Sequence, residues 1–282
     1  MKIKFTKMQG LGNDYIFINC FNQDLQNIDI PDLAKKMSNR HFGIGSDGLV
    51  LIMPSKTTDA KMRIFNTDGS EAQMCGNAIR CMAKYLYDKN IVKKQNTNIE
   101  TLSGIKKIQI IMKEKEKFTA KVNMGKPIID AKKIPAIFNK EKIIDEVISV
   151  NDEIKVNITC VSMGNPHCIV FVDDVNFVAF DRFGNLLENH KMFPERTNVE
   201  FVNVVDASQI QMRVWERGVG QTLACGTGAC ASVVACVLNN KTNRNIDVIL
   251  KGGILNINWD EKDNCVYMTG PAEFVFEGEW NL

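Results

Sequence analysis

MRIFNTDGSEAQMCG at residues 62–76 and MRVWERGVGQTLACG at residues 212–226 are two readings of one pattern, set 150 residues apart without a gap. Met62, Arg63, Cys75 and Gly76 fall on Met212, Arg213, Cys225 and Gly226. Working outward, QGLGNDYIFI at 9–18 matches SMGNPHCIVF at 162–171 once one gap is allowed, with Gly12-Asn13 on Gly164-Asn165. Each half thus runs from a Gly-Asn turn through an apolar strand and a Met-Arg strand to a Cys-Gly pair. Order and spacing are kept together, so the chain reads as two homologous domains of roughly 120–150 residues, an ordinary domain size.

The expected fold class is α+β, in two domains related by pseudo-twofold symmetry, each a mostly antiparallel sheet wrapped around a central helix. The first domain is placed at 1–120 plus 268–282 and the second at 121–267. A linker is expected near 113–135, where KEKEK and the Lys- and Pro-bearing stretch MGKPIIDAKKIP interrupt the apolar pattern. KEKEK alternates in sign and reads as a solvated hairpin edge.

Composition narrows the function. At 45% hydrophobic and 24% charged residues the chain can bury full cores and is not a disordered protein. A net charge of +2 is too small to point to nucleic acid. No apolar run approaches the ~20 residues that span a bilayer, and MKIKFTKMQGLGND enters a strand pattern without an h-region. The expectation is a cytoplasmic protein with no membrane or nucleic-acid partner.

The nine cysteines, at 20, 75, 81, 160, 168, 225, 230, 236 and 265, are not expected to form a disulfide framework, because their number is odd and the residues read show no export signal. No C-x-x-C pair occurs and His41, His167 and His190 are dispersed, so no metal is expected. Cys81, Cys230 and Cys236 fall in apolar helix patterns, and Cys20, Cys160, Cys168 and Cys265 in or beside strands, where cysteine acts as a small hydrophobe. Cys75 and Cys225 differ because each is followed by Gly and opens a helix. CGNAIRCMAKYLYDKN carries apolar residues at Ile79, Met82, Ala83 and Leu86 and closes at Lys89-Asn90, while CGTGACASVVACVLNN reads as a helix buried on most faces.

At a helix start, unpaired N–H groups and the positive end of the dipole favour an anion. The thiol pKa is expected to fall below its free value of roughly 8.5, and the N–H groups after each cysteine can hold a carboxylate. Two such termini facing one another would put a thiol on either side of an α-carbon. Inversion of a stereocentre needs that pair, one group to remove a proton and the other to deliver one. Resting enzyme must then hold one thiol and one thiolate, and two domains make a natural hinge for closing the site.

FTKMQGLGNDY, RHFGIGSDG, RIFNTDGSEAQMCGNAIRC, SMGNPHC, ERTNVEF, WERGVGQTLACGTGAC and YMTGPAEFVFEG, in this order, make the chain resemble the diaminopimelate epimerase family from end to end. The resemblance implies an epimerase without cofactor that interconverts LL- and meso-2,6-diaminopimelate on the route to lysine and peptidoglycan. It implies that Cys75 and Cys225 are the acid/base pair, with His167 and Glu216 tuning the thiols. The implied substrate contacts are Asn13, Asn66, Gly76, Asn77, Asn165, Asn198, Glu216, Arg217, Gly226 and Thr227. At Gly48 some members carry a glutamine that contacts substrate, so this contact is in question here. Phe276 stands where some members have a dimer-contact tyrosine, and a homodimer is implied.

These residue types suit a substrate with an amino acid group at both ends. Arg217 offers a bidentate fork to a distal carboxylate, Glu216 can accept from an ammonium, and the asparagines supply donors and acceptors. GIGSDG at 43–48 satisfies G-x-G-x-x-G, but a helix pattern (Pro31–Asn39) precedes it and a strand pattern (Leu49–Met53) follows, which is the wrong context for a dinucleotide site. Two other classes remain open on the residues alone: a racemase of another amino acid on the same scaffold, and a non-catalytic thiol sensor, which leaves the accompanying Asn, Glu and Arg residues unexplained.

Overall fold

The computed structural model describes residues 2–112, 118–151, 154–176 and 179–282, with backbone alone at 112. The KEKEK run at 113–117, read above as a hairpin edge, lies outside the described residues. In chain order the elements are β1 (Lys2–Gly10), β2 (Asn13–Asn19), α1 (Ile30–Ser38), β3 (Gly48–Met53), β4 (Ala60–Asn66) and β5 (Glu71–Ala72). There follow α2 (Gly76–Asp88), β6 (Asn96–Thr101), β7 (Gly104–Met112), β8 (Phe118–Gly125), β9 (Glu146–Ser149), β10 (Lys155–Ser162) and β11 (Pro166–Phe171). The rest is α3 (Phe180–Glu188), β12 (Asn198–Asp206), β13 (Gln209–Glu216), β14 (Gly220–Thr222), α4 (Gly226–Leu238), β15 (Asn245–Leu250), β16 (Gly253–Trp259), β17 (Val266–Pro271) and β18 (Glu273–Asn281). Two compact units result, one of Met1–Val122 with Thr269–Leu282 and one of Asn123–Met268. Part of the stretch expected to be linker is strand: β8 runs on past Val122 in regular alternation of buried and half-buried residues.

In the first unit β2 lies antiparallel to β1 and parallel to β3, β3 is antiparallel to β4, β4 parallel to β6, and β6 antiparallel to β7. In the second unit β10, β11, β12, β13, β15 and β16 repeat that succession of senses. A parallel pair cannot be joined by a tight turn and needs a crossover. Helices supply all four: α1 between β2 and β3, α2 between β4 and β6, α3 between β11 and β12, α4 between β13 and β15.

The crossover helices explain the burial. α1 starts where Asp29 accepts a hydrogen bond from the Asp32 N–H, with Pro31 in its first turn, and it turns Leu33, Ala34 and Met37 into a core with Ile3, Ile16, Leu49 and Phe65. α2 and α4 are the inner helices. α2 touches β1, β2, β7 and β18 in its unit, and α4 touches β10, β11, β12 and β16 in its own. GTGACASVVACVL buries all but Thr227, Val237 and Leu238, because small side chains let strands approach from several directions. Each buried valine stabilises by roughly 1.5–3 kcal/mol. The second unit adds an aromatic cluster in which Phe180 meets Phe201 at 5.2 Å and Trp215 at 6.4 Å between ring centroids.

The Gly-Asn turns are backbone requirements, since Gly12 (φ 81°) and Gly164 (φ 99°) occupy the left-handed region that other residues rarely adopt. Strand register then places three positions side by side in each unit. Tyr15 pairs with Gly48, which pairs with Asn66. His167 pairs with Asn198 in the same way, and the β12–β13 register beginning at Val199 and Trp215 puts Glu216 next to Asn198.

Among the described residues no helix is long and apolar enough to cross a membrane, and no cluster of His, Cys, Asp and Glu has the geometry of a metal site. The GIGSDG segment ends the connection from α1 and enters β3 at Gly48, outside any strand-to-helix phosphate turn. At its last residue the backbone is closely packed: a Cβ on Gly48 would lie 2.3 Å from the Phe65 carbonyl oxygen and 3.0 Å from the Tyr15 ring. Gly48→Ala is therefore expected to cost about 1–3 kcal/mol and to lower the melting temperature; a thermal melt superimposable on that of the unmodified protein would contradict this packing.

Candidate active site

Cys75 is the residue at which extended chain becomes helix α2, with φ −133° and ψ 125°. Its thiol can donate to Asn13 Oδ1 at 3.5 Å, and the Tyr15 hydroxyl donates to its sulfur at 3.5 Å. Asn13 is held on both sides. Its Nδ2 donates to Asp47 Oδ2 at 2.6 Å, while its Oδ1 also accepts from Asn77 Nδ2 at 3.0 Å. Asp47 in turn belongs to an ion network, with Arg40 Nη2 2.7 Å from both Asp47 and Asp14, and Lys7 Nζ 2.7 Å from Asp14. Burial alone would raise the Asp14 pKa, but Arg40 and Lys7 outweigh it and hold this carboxyl below the ordinary range.

Beneath Asn77 lies Arg80, fully buried, donating to Asn77 Oδ1, the Gly76 carbonyl and the Pro271 carbonyl at 3.0–3.1 Å. Gly76 and Asn77 are buried beside Cys75 at the start of α2. Asn66 is exposed and bonded within its own turn, with Nδ2 on Ser70 Oγ at 2.9 Å. Gly48 has no side chain to offer a ligand, and the packing around it leaves no room for one.

Cys225 occupies the same helix-start position of α4 (φ −118°, ψ 112°), buried, with its sulfur accepting from the Gly228 N–H at 3.4 Å. Thr227 Oγ1 lies 3.5 Å from that sulfur and accepts from Asn165 Nδ2 at 3.3 Å. Asn165 Oδ1 faces His167 Nε2 at 3.1 Å, and His167 Nδ1 lies 2.7 Å from Glu200 Oε1. The histidine thus reaches the thiol through two intermediaries. The pairing of the turn asparagine with the second helix residue recurs in the two units, Asn13 with Asn77 and Asn165 with Thr227.

Glu216 is bonded by the Thr222 hydroxyl. Burial raises its pKa, Glu200 adds to the rise, and Thr222, His167 and Cys225 pull the other way. Asn198 ties strands together: Nδ2 donates to the Pro166 carbonyl at 2.8 Å and Oδ1 accepts from the Arg217 N–H at 3.0 Å. Arg217 Nη1 donates to the Glu195 carbonyl at 3.0 Å, and Gly226 is buried at the start of α4.

One expectation is reversed. Burial, then Glu216, then Glu200 push the Cys225 thiol well above its ordinary pKa, and the Thr227 hydroxyl and Gly228 N–H offset only part of this. A helix terminus lowers a thiol pKa by favouring charge, but desolvation and two nearby carboxylates oppose it here.

Glu200, Tyr15, Asp47 and Thr222 were not singled out from the sequence. Glu200 is wholly buried, and its Oε2 has no hydrogen-bond partner among the described residues. The signal available for it was a lone acid within an apolar strand, NVEFV. A Cβ on Gly228 would lie 2.5 Å from Glu200 Oε1; the aligned position of α2 carries Ala78, and Val50 holds the strand position equivalent to Glu200.

Comparison with known proteins identifies the family. The family model for diaminopimelate epimerase matches residues 5–129 and 159–275. Proteins named diaminopimelate epimerase from Methanococcus maripaludis and Acetivibrio thermocellus are 53% and 51% identical over 280 residues, each alignment covering 99% of this chain and 100% and 99% of the relative. Solved structures show a likeness of fold. A probable proline racemase from Agrobacterium radiobacter has a TM-score of 0.72 at 13% identity, covering 99% of this chain and 93% of that one. A phenazine biosynthesis protein of the PhzF family from Bacillus anthracis has a TM-score of 0.69 at 16% identity, with 100% of both chains covered. Matched over both of its halves, each with a cysteine at the start of an inner helix, the chain belongs to the diaminopimelate epimerase family.

Proposed function

We propose that this protein interconverts LL- and meso-2,6-diaminopimelate by moving protons between the α-carbon and two cysteines, Cys75 and Cys225, without a cofactor. The observation that carries the reading is the recurrence of one arrangement, a cysteine capping an inner helix beside a Gly-Asn turn, with different partners in the two units. Inversion takes one proton from one face of the α-carbon and adds one to the other, so two groups that exchange roles serve both directions. Removal of the α-proton puts charge into the substrate carboxylate, and N–H groups of Gly76, Asn77, Gly226 and Thr227, at the positive ends of α2 and α4, suit that charge.

The two thiols have different resting states in this account. Cys225, with its pKa raised, holds its proton and is the donor to a carbanion; Cys75 is then the base. When the reaction runs the other way the roles exchange. His167 and Glu216 act through the Cys225 environment. Asn13, Asn165, Asn198 and Arg217, with Glu216, bind the two amino acid ends of the substrate, Arg217 taking the distal carboxylate as a bidentate partner. Asn66 contributes from the turn after β4, and Gly48 by its backbone alone. The protein works in the cytoplasm as a homodimer; Phe276, 44% exposed on β18, supports the latter.

Two measurements test this. Incubated with LL-diaminopimelate, the reduced protein is expected to reach an LL/meso mixture, while Cys75→Ser and Cys225→Ser each lose at least about 10²-fold in rate; full activity in either variant, or inert diaminopimelate with turnover of another amino acid, overturns the assignment. Alkylation of Cys225 followed against pH is expected to show a midpoint above that of a free thiol. Because a neighbouring carboxylate penalises the thiolate, Glu216→Gln should bring that midpoint down, and an unchanged midpoint would remove Glu216 from the account.

A further inference from the structure

Position 15 of the first unit corresponds to position 167 of the second. Each is two residues past the turn asparagine, and each opens the side-by-side row through β3 or β12 described above. His167 ends at Asn165 and Glu200 and is not hydrogen-bonded to the sulfur. Tyr15 is longer, and its hydroxyl lies 3.5 Å from Cys75 Sγ as the donor. The ring is buried, packed beside the Gly48 backbone.

Cys75 therefore meets an acceptor and a donor. Asn13 cannot turn its amide over, because its Nδ2 is fixed to the Asp47 carboxylate at 2.6 Å. Its Oδ1 is thus presented to the sulfur and suits the thiol, which has a hydrogen to give. The Tyr15 hydroxyl suits the thiolate, which has none. Burial, then the Cys75 thiolate and its hydrogen bond, then Asp47, push the phenol well above its ordinary pKa, so it remains a donor at any pH at which the protein works.

We infer that Tyr15 is a positioning residue for the first unit's acid/base group: its hydroxyl donates to the Cys75 sulfur and favours the thiolate over the thiol. This rests on the reading of Cys75 as an acid/base group. The other polar and charged groups around the pair come from four elements. The β2 strand and its turn supply Asn13 and Asp14, and the connection before β3 supplies Asp47, with Arg40 bridging the two acids. β1 supplies Lys7, on Asp14. α2 supplies Asn77, Arg80 and Cys81, the last a buried thiol pushed up to about 12 chiefly by burial and so uncharged. Of the two groups shown hydrogen-bonded to the sulfur, Asn13 Oδ1 accepts and the Tyr15 hydroxyl donates.

The test is Tyr15→Phe in the full chain, read by the pH dependence of iodoacetamide alkylation at the Cys75 peptide, a readout that needs no turnover. Loss of a donor to an anion is expected to raise the midpoint by about one pH unit, which is about tenfold slower alkylation near neutral pH. With diaminopimelate, the kcat profile should shift to higher pH while KM stays within about twofold. Global replacement of tyrosine by 3-fluorotyrosine keeps the ring and hydroxyl in place, guards against misfolding of the first variant, and makes the phenol a stronger donor, so the midpoint should fall. A Cys75 midpoint that moves in neither protein overturns the role of Tyr15 while leaving the epimerase reading intact. A midpoint that moves in a protein inert to diaminopimelate supports Tyr15 and sinks the substrate.

Discussion

The constraint on which the two sites depend is the position of a cysteine at the first residue before a helix enclosed by its own sheet. That residue is in extended conformation while the next is helical, so its side chain leaves the backbone at the N–H end of the helix. The inner helix cannot shift without parting the strands that cover it, and the parallel crossovers fix which strands those are. The sulfur is therefore located by packing rather than by any loop, as a group that must work at near-contact distance requires.

From that shared frame the two units diverge in what surrounds the sulfur. In the second unit a row from the buried Glu200 and His167 through the half-buried Asn165 and Thr227 ends at Cys225, and two carboxylates penalise its anion. In the first, the corresponding histidine position is Tyr15, the acids Asp14 and Asp47 are neutralised by Arg40 and Lys7, and a phenol points at Cys75. Two copies of one thiol are thereby given unlike surroundings. The proposed reaction uses such a difference, since one sulfur gives a proton while the other takes one.

Much of the frame was legible in the sequence because duplication compares each residue with its partner. The mixed fold and the inner helices beginning after Cys75 and Cys225 follow from the pairing of 62–76 with 212–226 and its flanking turns, and the family from the resemblance of seven blocks along the chain. What was not legible depends on lateral register between strands distant in sequence. Glu200 meets His167 across a parallel pair, and nothing in the spacing of NPHC and NVEF reveals that neighbour. Tyr15 reads as one more apolar strand residue until its hydroxyl is seen at the sulfur. The expectation of a lowered pKa at Cys225 counted the helix terminus, which is local, and missed the carboxylates, which arrive from β12 and β13. The stretch 118–125 falls within the expected linker because the charged KEKEK run before it and MGKPIIDAKKIP at its end flank a strand whose alternate residues are only half buried.

The most direct test of two thiols working as opposed acid and base is where solvent deuterium first appears. When LL-diaminopimelate is converted in D₂O and both isomers are analysed at low conversion, the meso product should carry deuterium at its inverted carbon while the remaining LL substrate stays protonated, since the removed proton rests on one sulfur and the delivered deuteron comes from the other. Equal early labelling of recovered substrate and product would mean that one group serves both faces, and the two-thiol account would fail.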